Sequence, residues 1–386
     1  MSFILEELVR NKYLQILISV LISLIITYWA MPIIRNVCIE RNLMENPIKR
    51  SSHSSPTPTF GGVGIFAGTV IGYMIWNFED EGVLLHKVFA GLVILFFIGI
   101  KDDIFALAPL KKLTVQILVA SIIVIGSDLR ITSLFGTFGV HSIPYFVSVL
   151  FTIILFVAII NAFNLIDGID GLAAGIGMIS SALFGLWFIS NGYWSMSCLA
   201  FSLSASLLSF LRFNFSKTSK IFMGDTGSLI VGYLVSILAV KFVQVNELSF
   251  FGSVGDHFVS APVLAIVVLC VPIFDTLRVF GLRIMKGKSP FNADRLHLHH
   301  LLVDNGLNHF ATSAVLWAFT IILTVFTYYL RTFFSNTALS IYVLSVFAIY
   351  LLVSSYLELR RYNLKKNQKT GNTDILPSTS NAVDLN

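Results

Sequence analysis

Long apolar blocks separated by short polar stretches set the pattern of this chain. Eleven blocks lie at about residues 13–33, 61–77, 86–100, 113–127, 144–162, 172–190, 194–211, 228–245, 258–280, 312–330 and 338–357. A helix needs about 20 apolar residues to cross the hydrocarbon core of a bilayer, and the blocks are of that order, with 86–100 and 113–127 the shortest. Only helices and closed barrels satisfy their backbones in lipid, and these blocks lack the in–out alternation of barrel strands. The pattern predicts an all-α polytopic membrane protein of about 11 transmembrane helices, a single integral-membrane unit over residues 1–360. The polar end, residues 361–386, is expected to be a disordered tail.

Composition agrees. The chain is 56% hydrophobic and 12% charged, with a mean hydropathy of +0.83, where soluble domains carry about 25% charged residues. The formal charge of +5 is placed unevenly. With loops numbered from the amino end, odd loops and the carboxyl tail hold 20 of the 26 lysines and arginines. Basic loops stay in the cytoplasm, so the amino terminus is expected outside and the carboxyl terminus inside. The charge is thus a topology signal, and no nucleic-acid partner is expected. Cys38, Cys198 and Cys270 are isolated and suggest neither a disulfide framework nor a zinc site. The first block has no small-residue cleavage site after a basic start and is expected to stay as a helix. No internal repeat is visible.

The unusual polar residues gather on the odd-loop side. "GIKDDIFALAPLKKL" carries Asp102, Asp103, Lys111 and Lys112; "NAFNLIDGIDGL" carries Asn161, Asn164, Asp167 and Asp170. "KIFMGDTGSLIVG" carries Asp225, and the stretch from Asp275 to His300 carries Arg283, His297, His299 and His300. Positions 161, 164, 167 and 170 recur every three residues, just under one turn, so they form one polar stripe at a helix end. Gly168 and Gly171 permit close approach there. Each cluster has a bland alternative: a solvated turn for Asp102–Asp103, an N-cap for Asp225, a headgroup-level helix end for the stripe. Acids at membrane depth are costly and mark function when several gather. For "HLHH" zinc is the rival reading, disfavoured by the absence of nearby cysteines.

Together these side chains offer hard oxygen ligands beside cations. Asp102, Asp103, Asp167, Asp170, Asp225 and the Asn164 amide suit magnesium, with manganese as the alternative. Lys112, Arg283 and the histidines suit phosphate oxygens. That is the equipment of phosphoryl transfer, at a surface where a soluble nucleotide and a lipid can meet. No GxxxxGK[ST] or GxGxxG occurs, which excludes a P-loop enzyme.

Five motifs then carry a resemblance: "TPTFGG" at 57–62, "DD" at 102–103, "NAFNLIDGIDGL" at 161–172, "FMGDTGSL" at 222–229 and "SPFNADRLHLHH" at 289–300. In order and spacing they resemble the polyprenyl-phosphate N-acetylhexosamine-1-phosphate transferases, glycosyltransferase family 4. That family includes the enzymes that initiate O-antigen, enterobacterial common antigen and teichoic linkage units, and the peptidoglycan lipid I translocase. The resemblance implies a bacterial inner-membrane enzyme with a cytoplasmic active site. Undecaprenyl phosphate would attack the β-phosphate of a UDP-N-acetylhexosamine, releasing UMP. It implies Asp225 as the main magnesium ligand with Asn164 second, and Asp102 and Asp103 as the pair that orients or deprotonates the lipid phosphate. It implies Lys112 on phosphate, and Asp167, Gly168 and Asp170, with Asn161, beside the nucleotide. Phe222 and Asn214 fall in the uracil pocket, one residue further apart than in the family, and Arg283, His297, His299 and His300 in the loop over the diphosphate and sugar. Direct attack is expected over a covalent aspartyl intermediate, because a carboxylate of pKa about 4 is an adequate base for a phosphate monoanion of pKa about 6.

The run "HLHHLLVDNG" resembles the O-antigen and teichoic branch, whereas "TPTFGG" is close to the early loop of the translocase. The histidine loop lies nearer the sugar, so UDP-N-acetylglucosamine or a related donor is expected, with phospho-MurNAc-pentapeptide transfer as the alternative. An ion-coupled transporter is the rival of another class, but its acids would sit near the midplane between repeats. A CDP-alcohol phosphotransferase would need DGxxAR, and Asp167-Gly168 is followed by Ile, Asp, Gly and Leu. The sequence leaves the oligomeric state open, a homodimer being one option.

Overall fold

The computed structural model describes residues 11–45, 56–76, 82–250, 259–287 and 296–373. In chain order the helices are α1 (Lys12–Glu40), α2 (Gly61–Met74), α3 (Gly82–Ile104), α4 (Pro109–Gly126), α5 (Tyr145–Ile166), α6 (Leu172–Ser190) and α7 (Trp194–Asn214). There follow α8 (Gly224–Phe250), α9 (Ala261–Val268), α10 (Cys270–Met285), α11 (Leu298–Asp304), α12 (His309–Leu330) and α13 (Asn336–Thr373). A two-residue ladder pairs β1 (Met44–Glu45) with β2 (Thr57–Pro58), antiparallel. Each of the eleven apolar blocks becomes helix. Among the described residues nine helices are long and apolar enough to cross a bilayer, or ten if a bent pair is one span.

That bent pair corrects the straight span expected over 258–280. The chain turns by 77° at Leu269, between α9 and α10. The cause is local: Pro272 has no N–H to return to the carbonyl four residues back, that of Val268. The Ser180 hydroxyl of α6 donates to that carbonyl instead, at 3.2 Å. Beyond the bend, α10 is two-sided, with Asp275, Arg278 and Arg283 buried and Leu277, Ile284 and Met285 exposed. The carboxyl end is a second correction. The tail expected from residue 361 is helical as far as Thr373, where long straight-chain residues such as Arg360 and Arg361 extend α13. Residues 374–386 lie outside the described residues.

α8 is the central post: 94% of its most apolar stretch is buried, against 22% for α13. Peripheral helices turn large apolar side chains outward, such as Leu17, Leu21, Ile25 and Trp29 on α1 and Phe146, Leu150 and Ile154 on α5. Lipid tails are as apolar as leucine, so burial does not drive these helices together; close packing and polar contacts do. The α1–α2 seam shows it. Gly64, Gly68 and Gly72 recur every four residues on α2, and a Cβ at Gly68 would lie 2.0 Å from Thr27 Oγ1 of α1. Thr27 donates across the seam to the Gly64 carbonyl at 3.2 Å.

The helix ends sort into two faces. At one, Arg35 donates to the Thr218 carbonyl and the Gly61 and Gly62 amides donate to the Phe222 and Met223 carbonyls. At the other, the Asn336 amide donates to the Phe135 and Val259 carbonyls, and Tyr13 meets Trp194 edge-on at 5.1 Å.

Gly68→Val should lower the melting temperature of the detergent-purified protein, since the added side chain forces α1 and α2 apart at a cost of about 1–3 kcal/mol. The same change at exposed Gly281 of α10, with open space around its Cβ and ordinary helical backbone, should cost less.

Candidate active site

The first N–H groups of a helix have no partner inside it. At α8 they are met from another helix. Gly224 turns the chain with φ of 71°, and Asp103 at the end of α3 receives the amides that follow. Asp103 Oδ1 accepts from the Asp225 amide at 2.7 Å, and Oδ2 from the Thr226 amide at 3.1 Å and the Thr226 hydroxyl at 2.5 Å. A carboxylate here also suits the positive end of the helix dipole. The capping role considered for Asp225 therefore belongs to Asp103, and only Asp102 of the acidic pair turns toward the neighbouring charges.

Those charges form a tight group. Lys112, near the start of α4, bridges Asp102 Oδ2 and, at 3.3 Å, Asp225 Oδ2. The Leu107 amide donates to Asp102 Oδ1 at 2.7 Å. Asn164, near the end of α5, donates to Asp225 Oδ1 and to Ser228 Oγ at 2.9 Å. The Asp102 and Asp225 carboxylates lie within hydrogen-bonding reach of each other. Two carboxylates against one ammonium leave a surplus negative charge. No three His, Cys, Asp or Glu side chains among the described residues surround a common metal position. Two carboxylates and an amide oxygen are instead the partial shell that magnesium accepts, because it keeps waters and completes its octahedron with substrate phosphates. The donor set fits that ion and does not fit zinc.

The α5–α6 turn lies beside this group. Half-buried Asp167 has its carboxyl raised well above the usual range, first by burial and then by the charges of Asp225, Glu45, Asp103 and Asp170. Asp170 goes the other way. Burial would raise it, but hydrogen bonds from His309 at 2.9 Å and Lys220 at 2.7 Å, with their charges, hold it below the usual range. Its carbonyl accepts from the Ser313 hydroxyl at 2.7 Å. Asp170 is thus the tie between this turn, the loop before α8 and α12. A Cβ at Gly168 would lie 2.6 Å from His299 Nε2, so the histidine segment closes directly on the turn.

His297 Nδ1 is 2.7 Å from Asp275 Oδ2, and the His297 and His299 rings stack at 5.6 Å between centroids. His299 is buried, with both ring nitrogens lacking a hydrogen-bond partner among the described residues. Its basicity is pushed well down, by burial first and by His300 next. Arg283 is fully buried, and His300 stacks at 4.3 Å from His299. Residues 288–295 of the expected loop lie outside the described residues.

Two expected substrate contacts are engaged elsewhere. Buried Asn214 accepts from the Gly171 amide at 2.6 Å and donates to the Ile221 carbonyl at 3.0 Å, stapling the turn to the loop before α8. Asn161 exchanges amide hydrogen bonds with Gln116 of α4, at 2.6 and 3.3 Å. Phe222 is half-buried under the Lys220 ammonium, 5.2 Å from the ring centroid. Sequence reasoning missed Gln116, Lys220, Ser228, His309 and Tyr350. Gln116, a lone amide inside an apolar block, carried the one usable signal.

Glycosyl transferase family 4 matches residues 85–243 of the chain. A Bacillus subtilis (strain 168) protein, "Probable undecaprenyl-phosphate N-acetylglucosaminyl 1-phosphate transferase", is 30% identical over 352 residues, covering 89% of this chain and 92% of the relative. The undecaprenyl-phosphate alpha-N-acetylglucosaminyl 1-phosphate transferase of Yersinia pestis is 31% identical over 279 residues, 70% of this chain and 72% of its own. That of Escherichia coli (strain K12) is 30% identical over 280 residues, again 70% and 72%.

The two adjacent acids should separate on substitution. Asp103→Asn sets an amide N–H against the helix amides and should lower the melting temperature, by about 1–3 kcal/mol of stability. Asp102→Asn relieves repulsion from Asp225 and should leave the melting temperature unchanged or raised. Asp170 gives a pH signature. Its folded pKa lies below the unfolded value of about 3.9, so its contribution is present above about pH 4 and lost as pH falls through the folded value. Asp170→Asn should destabilise the protein at pH 7 and flatten the acid side of its melting-temperature profile.

Proposed function

The chain belongs to glycosyl transferase family 4, and from that premise we propose that it transfers N-acetylglucosamine 1-phosphate from a UDP-linked donor to undecaprenyl phosphate, releasing UMP. One observation carries this reading. Asp102, Lys112, Asn164 and Asp225, spread over more than a hundred residues, meet at one end of four helices. An acid pair sharing a lysine at a membrane surface suits two phosphate groups that must be brought together against their own repulsion.

The acceptor phosphate oxygen forms a bond to the β-phosphorus of the donor as the bond from that phosphorus to the bridging oxygen of UMP breaks. Lys112 is a point charge for the phosphate oxygens. Asp102, held by the Leu107 amide and Lys112, accepts the proton of a monoanionic acceptor or orients its dianion. Asp103 fixes the α8 terminus on which Asp225 stands. Asp167, its proton affinity raised by burial and by the neighbouring acids, stands at the donor nucleotide, with Gly168 alongside. Arg283, His297, His299 and His300 face the diphosphate and sugar from the far side of that turn. Asp225, with Asn164 beside it, would hold magnesium, which supplies charge neutralisation of the diphosphate. Manganese has the same ligand preferences.

The same reading orients the protein. The face that carries the site also carries Arg35, Lys112, Lys220 and Arg278, the basic side expected in the cytoplasm. Counting α2 and the α9–α10 pair as one crossing each gives eleven, a number that supports an amino terminus outside and a carboxyl terminus inside. The site works on a cytoplasmic nucleotide sugar at the inner leaflet of a bacterial inner membrane.

Membranes containing the chain, given labelled UDP-N-acetylglucosamine and undecaprenyl phosphate, should form labelled lipid and UMP in equal amounts. EDTA should abolish both and magnesium restore them, and Asp225→Ala should cost roughly 1,000-fold or more. Release of UDP in place of UMP would mean transfer of the sugar alone and would overturn the reading.

A further inference from the structure

Asp275 lies apart from the Asp102–Asp225 group, on α10 beyond the bend. It is 2% exposed, yet both carboxylate oxygens have polar partners. Oδ1 accepts from the Leu298 amide at 2.8 Å and from the Tyr350 hydroxyl of α13 at 3.3 Å; Oδ2 is 2.7 Å from His297 Nδ1. His299 Nδ1 stands 4.0 Å from the same oxygen. A backbone amide can only donate, and an ionised carboxylate can only accept. His297 Nδ1 therefore carries a hydrogen, and a neutral ring presents its lone pair on Nε2. That nitrogen has no partner among the described residues, while the segment's next histidine touches the Gly168 turn.

We propose that Asp275 is a positioning residue for the transfer: with Tyr350 it fixes the Nδ1–H form of His297 and holds Nε2 ready for a phosphate oxygen of the donor diphosphate. With Nδ1–H taken by the carboxylate, Nε2 is the ring nitrogen left to carry a further proton and donate it to an anion. Arg278, which donates to the Leu296 carbonyl at 2.5 Å and pairs with Glu358 at 3.3 Å, pins the chain just ahead of His297. The titratable and charged groups around His297 are Asp275 and Arg278 on α10, His299 and His300 on α11, His309 on α12, and Tyr350 and Glu358 on α13. Asp275 is the one in hydrogen-bond contact with the ring.

The assignment deepens the transferase reading and rests on it. Asp275→Asn should lower kcat about 10- to 100-fold with the KM for UDP-N-acetylglucosamine within about threefold, the usual scale for a group that orients another. In a His297→Gln background the same change should cost less than about twofold, because Asp275 then has nothing to position. Full multiplication of the two losses, or an unchanged kcat, would overturn the assignment. Should Asp275→Asn fail to accumulate, or the parent chain make no labelled lipid, nitrogen NMR of ¹⁵N-histidine-labelled parent protein decides it alone. A protonated Nδ1 on the resonance that His297→Gln removes supports the placement; an unprotonated Nδ1 sinks it. Lack of product from the parent chain counts against the transferase reading only.

Discussion

The Asp103 carboxylate seated on the first amides of α8 is the contact from which the rest of the site follows. It joins the end of α3 to the start of the most buried helix, and it does so at the only place on α8 where backbone donors are left over. With those donors met from outside, Asp225 is released from capping its own helix. It can then turn toward Asp102, Lys112 and Asn164. One acid supports the backbone so that another can face the neighbouring charges. The arrangement explains why two neighbouring aspartates have unlike surroundings: a helix sends successive side chains about 100° apart, so one meets α8 and the other meets α4.

A second set of polar ties holds the α5–α6 turn. Asp170 is balanced by Lys220 and His309, and Asn214 braces Gly171 against Ile221. These ties draw the α5–α6 turn, the loop before α8 and the start of α12 together. Asp167, three residues before Asp170 in the same turn, has no cation of its own among the described residues. Two acids in the same short turn thereby have their proton affinities shifted in opposite directions.

Much of this was legible in the sequence. Lipid demands long apolar helices, so the eleven blocks were visible, and the parity of the loops placed Asp102, Asn164 and Asp225 on one face before any geometry was known. What stayed hidden depends on distant partners. Nothing near Asp103 indicates that its acceptors serve amides 122 residues away. Asn214 is expected in a uracil pocket from the resemblance and Asn161 on a substrate from the polar stripe, and each has a partner across the bundle that no local pattern reveals. The bend at Leu269 was masked because Pro272 sits in a run whose hydropathy alone reads as one span. Asp275 was visible as an acid, but its pairing with His297 and Tyr350 required α10, α11 and α13 to be placed.

The glycine seam between α1 and α2 has one more consequence. At 1.5 Å per residue, the 14 residues of α2 rise about 21 Å, well under the roughly 30 Å of a hydrocarbon core. Neighbouring α1 has 29 residues and no such shortfall. The mismatch is met by thinning of the adjacent leaflet or by a backbone that starts below headgroup level. Either way, the bilayer beside this seam meets a shorter apolar wall than it meets along α1.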